Sequence, residues 1–98
     1  MTLINKINLG DIHMNVRKII NLGFDIRLLQ EQLEDVINYI SSNKKYLKSG
    51  KISKDMYEEN EMKLEENKKI LIDKINKKID LLVKIAEKSK EVIGANKI

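Results

Sequence analysis

The stretch INLGFDI, Ile20–Ile26, decides the fold. It places a glycine and an aspartate, both common at helix ends, inside an otherwise helix-compatible chain. A near copy, INLGDI, precedes it at Ile7–Ile12. If Gly23 ends a helix, the chain is a three-helix bundle with Ile12–Leu22 folded back. If the helix runs through Gly23, the chain is a long hairpin.

Residues on the C-terminal side of Gly23 set a clear frame. Ile26, Leu29, Leu33, Val36, Ile40, Asn43 and Leu47 alternate steps of three and four, an a/d seam with one polar member. Lys48-Ser49-Gly50-Lys51 then supplies a short polar turn, with glycine placed near the C′ position of the helix it closes. Ser53 is a ready N-cap for a second helix, with Asp55 in its first turn and Ile52 and Tyr57 at the positions of a hydrophobic staple. From there Leu64, Leu71, Ile75, Ile79, Leu82, Ala86 and Ile93 recur at three- and four-residue steps, and nothing breaks the pattern before Gly94. Glu65–Lys69, Asp73–Lys77 and Asp80–Lys84 add i,i+4 charge pairs in the favourable order.

A link this short makes the helices antiparallel, with paired residue numbers summing to about 101 at equal rise. Val36 and Ile37 then oppose Leu64, and Leu29 opposes Leu71. Continuing outward, Leu22 opposes Ile79, Ile19 opposes Leu82 and Val16 opposes Ile85. A helix ending at Gly23 leaves the apolar run Ile79–Ala86 without a partner. Glycine inside a helix costs about 1 kcal/mol relative to alanine, whereas each large apolar side chain left unburied forfeits roughly 1.5–3 kcal/mol. The continuous helix is therefore expected.

The resulting expectation is an all-α antiparallel two-helix hairpin: residues 1–10 a tail or short helix, 11–48 the first helix, 49–52 the turn, 53–93 the second helix and 94–98 a tail. Asp11 serves as the helix start, and Gly23 as a mild kink or close-packing point. The intra-hairpin seam comprises Val16, Ile19, Ile26, Leu29, Leu33, Val36, Ile40, Leu64, Leu71, Ile75 and Leu82. Asn43, Asn60 and Asn67 near it are candidates for fixing register.

More apolar surface remains than one neighbouring helix covers. Ile70, Leu81, Ile85 and Val92 flank one side of the second helix's stripe, and Ile72, Ile79 and Val83 the other. The first helix adds a sparser stripe of Phe24, Leu28, Tyr39 and Tyr46. Phe24, Leu28, Ile70, Ile72, Ile79, Leu81, Val83 and Ile85 are thus the candidate partner surface. Self-association of two hairpins into a four-helix bundle is the simplest way to cover it.

Chemistry is harder to find. There is no cysteine and one histidine, His13, so no zinc set can be completed. Glu58/Glu59 and Glu65/Glu66 are sequence neighbours that diverge around a helix, and the Glu-x-x-His repeat of di-iron bundles is missing. No phosphate loop and no nucleophile–base pair is present. The expectation is a protein without catalytic residues, metal or cofactor, acting by protein–protein binding as a self-assembling adaptor or a subunit of a larger complex.

The net charge of +4, carried mostly by lysine, raises a nucleic-acid alternative resting on Lys68, Lys69, Lys74, Lys77, Lys78, Lys84, Lys88 and Lys90. These spread around the helix beside Asp73, Asp80 and Glu87, with no arginine cluster or aromatic row, so a solvated charged face is the better reading. No apolar run approaches the ~18 residues of a membrane span, and Asn5, Lys6 and Asn8 interrupt any signal-like segment. A cytoplasmic location is expected.

Length and plan resemble the small secreted helical hairpins that carry a Trp-x-Gly turn. That resemblance implies dimerisation, leaderless secretion and the escort of secreted effectors. The chain departs from the family at its signature: the turn reads YLKSGKIS, Tyr46–Ser53, and the sequence has no tryptophan.

Overall fold

The computed structural model describes the backbone of residues 2–96 and the side chains of residues 14–88. His13, Lys90, Val92 and Ile93 fall outside the described side chains. The chain forms an all-α hairpin of two long helices, α1 (Thr2–Lys48) and α2 (Lys54–Asn96), which pack extensively on each other.

The helix runs through Gly23. Its φ is not positive, unlike that of Gly50, and α1 continues without a break to Lys48. Three details differ from the sequence reading. First, α1 begins at Thr2, so Asp11 lies within the helix and starts nothing. Second, α2 passes through Gly94 and reaches Asn96. One isolated glycine costs a helix only about 1 kcal/mol, too little by itself to stop either of them. Third, a Cβ built on Gly23 meets nothing within 4 Å, so this glycine is no tight contact within the hairpin.

The turn that reverses the chain is a Schellman motif. The Lys51 amide donates to the Tyr46 carbonyl at 2.9 Å, and the Gly50 amide to the Leu47 carbonyl at 3.1 Å. This geometry requires a left-handed residue, and Gly50 supplies it with φ 75°. Ser49 Oγ also donates to the Tyr46 carbonyl, and the Lys51 ammonium sits 5.4 Å from the Tyr46 ring centroid. Ser53 then caps α2: its Oγ accepts from the Met56 amide at 3.1 Å, the N-cap to N3 bond.

The packing divides into two compact units. The turn unit is Arg27–Asn76; the terminal unit joins the chain up to Ile26 with the chain from Lys77 onward. In the turn unit, residues 29, 33, 36, 40, 43 and 47 of α1 face residues 57, 61, 64, 68, 71 and 75 of α2, all buried or half-buried. Both sets alternate three- and four-residue steps, the a/d spacing of an antiparallel coiled coil.

Asn43 is the polar member of this seam and is only 5% exposed. Its Nδ2 donates to the Tyr57 carbonyl at 3.2 Å and to Glu61 Oε2 at 3.4 Å. Its Oδ1 accepts from Asn60 Nδ2 at 3.2 Å. Both ends of the buried amide are thereby satisfied, and only one alignment of the helices permits it.

In the terminal unit the same spacing continues at residues 15, 19, 22 and 26 on α1 and at 78, 82 and 85 on α2. This moves three residues relative to the sequence reading. Val16 is not in the seam: it is 47% exposed, because the four-residue step back from Ile19 lands on Asn15. Ile85 is half-buried in the seam and does not flank it. Lys78 takes the inward position that Ile79 was expected to share, its stem half-buried and its ammonium 3.3 Å from Asp25 Oδ2.

Candidate interaction surface

A two-helix hairpin offers each helix one neighbour, and the consequence is visible in burial. Among the described residues, Leu22, Ile40 and Ile75 are the buried hydrophobics. Many more large apolar side chains stand exposed, among them Phe24 at 68% and Met62 at 75%.

The candidate partner residues do not behave as one group. Phe24, Leu28, Ile70, Ile72, Ile79, Leu81 and Val83 are all exposed, whereas Ile85 is not. Their positions around the helices matter more than their exposure. With the observed seam at heptad positions a and d, Ile72, Ile79 and Ala86 fall at e and Val83 at b, on one flank. Leu81 falls at g, on the other flank.

On α1 the b/e flank of the terminal unit carries Val16, Ile20 and Gly23, with Phe24 beside them at f. Val16 and Ile20 belong to a surface that sequence reasoning missed. The signal was present as the spacing 16, 20, 23, but assigning Val16 to the seam concealed it.

The turn unit presents different chemistry. An open groove of about 330 Å³ lies along its g flank, lined by Tyr39, Ser42, Asn43, Tyr46, Asn60, Lys63 and Leu64. A second depression on α2 sets Met62 and Tyr57 among Glu58, Glu61 and Glu65. Neither assembles a nucleophile with a base. Among the described residues, no group of three histidine, cysteine, aspartate or glutamate side chains converges as a metal site would require. No described helix is long and apolar enough to cross a membrane.

The lysines are also dispersed. Lys68 and Lys78 are half-buried in the seam, Lys78 is paired with Asp25, and Lys63 is paired with Glu59 at 3.2 Å. Arg27 lies 3.8 Å from Glu31 one turn along α1. Lys78 thus pairs across the hairpin, whereas Lys63 and Arg27 pair with carboxylates one turn away on their own helices.

No protein-family model, curated protein or solved structure matches this chain.

Proposed function

We propose that this chain is a non-enzymatic protein–protein interaction module that acts by self-assembly, two hairpins docking into a four-helix bundle that serves as an adaptor or as a subunit of a larger complex. One observation carries the reading: large apolar side chains stand exposed along both helices, among them Ile20, Phe24 and Leu28 on α1 and Met62, Leu81 and Val83 on α2. Burial of such side chains is the ordinary driving force for helix association.

Sedimentation velocity across low to high micromolar concentration tests this reading. A concentration-dependent shift from one hairpin to two is expected. The melting temperature should rise with concentration, because association stabilises the folded state by mass action. A folded monomer at high micromolar concentration with a concentration-independent melt would refute self-assembly.

A further inference from the structure

We propose that the second hairpin docks on one face of the terminal unit, the b/e flank formed by Val16, Ile20 and Gly23 of α1 with Ile79, Val83 and Ala86 of α2. This inference rests on the self-association proposed above and assigns it a surface. In an antiparallel pair the e position of one helix lies beside the e position of the other, and g beside g. The turn unit shows the g side of this rule directly, where Asn60 and Tyr46 line one groove. The b/e positions of α1 and α2 in the terminal unit accordingly share a single face.

That face is distinguished by charge. All six residues at its described b and e positions are uncharged. The described charged residues of this unit lie at c, f and g, apart from Lys78 in the seam. In the turn unit the same positions are charged repeatedly, as at Arg27, Glu34, Glu58 and Lys69. On α1 the charged positions reach Arg27, at the edge of the turn unit, whereas on α2 they end at Lys69 and the uncharged run begins with Ile72 and Asn76. Solvation alone gives no reason for lysine and glutamate to avoid one flank of one half of a lysine- and glutamate-rich chain.

The geometry favours a second copy as the occupant. The b/e stripe on each helix lies about 100° around the axis from the a/d seam. A helix in a four-helix bundle meets its two neighbours at close to that angle. The face spans two antiparallel helices and carries no formal charge among its described residues, so rotation by a two-fold axis brings it against an identical uncharged face. An acidic or basic partner would find no opposite charge there. Gly23, with open space around its Cα, lets an approaching helix come near the α1 backbone.

The experiment compares the full-length wild type with Gly23→Glu, Val83→Glu and Leu81→Glu by sedimentation velocity, with circular dichroism confirming helicity. Gly23→Glu is the decisive variant, because a Cβ at this exposed position meets no neighbour within 4 Å and glutamate is the better helix former. It should remain folded while association weakens on the order of tenfold or more, since a carboxylate would be buried without a partner. Val83→Glu should act in the same direction, and Leu81→Glu, on the opposite flank, should associate as the wild type does. An associating wild type with an unaffected folded Gly23→Glu would overturn the assigned face and leave self-assembly standing. Loss of association in Leu81→Glu alone would move the contact to the g flank. A wild type that never associates would remove both proposals.

Discussion

Replacing Gly23 with alanine tests the continuity of α1 at the point where the sequence is most ambiguous. Gly23 lies far from both ends of a helix spanning Thr2–Lys48, so fraying does not dilute the effect. Its φ is not positive, so alanine adopts the same backbone without strain. The added methyl meets nothing within 4 Å, so no repacking cost offsets the gain, and the site is exposed, so the methyl buries no apolar area. What remains is the propensity difference, with alanine favoured by about 0.8–1.0 kcal/mol. The physical origin is the larger conformational entropy that glycine loses on folding. For a chain of this size about 1 kcal/mol corresponds to a rise of roughly 4–8 °C in melting temperature. Thermal melts followed by circular dichroism at low micromolar concentration provide the assay, since association there contributes least to stability. A lower melting temperature for Gly23→Ala under those conditions would refute the reasoning. It would mean either that the helix is interrupted or that the backbone at residue 23 is crowded within one hairpin.

The same substitution at Gly50 should have the opposite sign: with φ 75°, Gly50→Ala should lower stability by about 1–2 kcal/mol, and an unchanged melt would show that the Schellman turn is not what reverses the chain. Asn43→Leu exchanges three hydrogen bonds, each worth roughly 0.5–1.5 kcal/mol net, for apolar burial of about 1.5–3 kcal/mol. The three bonds together exceed or match the burial gain, so its melting temperature should hold or fall, while spin-label distances between the two helices beside the turn broaden as register loosens. A sharp distance distribution in a stable Asn43→Leu protein would show that shape alone sets the register.

The sequence made the turn half legible because its signals are chemically specific and mutually consistent. A glycine at C′, a serine at the N-cap and an a/d run interrupted by one asparagine each have a single good structural use. All three were placed correctly by local physics. Continuity through Gly23 was legible for a different reason, an energetic comparison in which about 1 kcal/mol of glycine cost competed with several unburied side chains. The helix ends were less legible. Asp11 and Gly94 have the residue types of a start and a stop, but neither glycine nor aspartate forbids helix, and α1 and α2 extend past both.

The terminal half was harder because hydrophobicity gave two overlapping answers on α2. Stepping from Ile75 by four reaches Ile79, and stepping by three reaches Lys78. An apolar reading selects isoleucine, whereas the packed hairpin keeps the strict three-four alternation and accepts lysine. Lysine is tolerated there because its long stem covers the seam while its ammonium leaves sideways to Asp25, 3.3 Å away on α1. Once Lys78 occupies the seam, Ile79 belongs to the flank alone, beside Val83, and on α1 the shift from Val16 to Asn15 moves Val16 out of the seam. Assigning Val16 to the seam therefore concealed the α1 part of this flank, whereas its α2 part, Ile72, Ile79 and Val83, was legible in the sequence. The hairpin thus fills its seam with isoleucine, leucine and valine, admits lysine and asparagine among them, and still leaves isoleucine and valine on an uncharged outer flank, which is the surface the proposed second copy would cover.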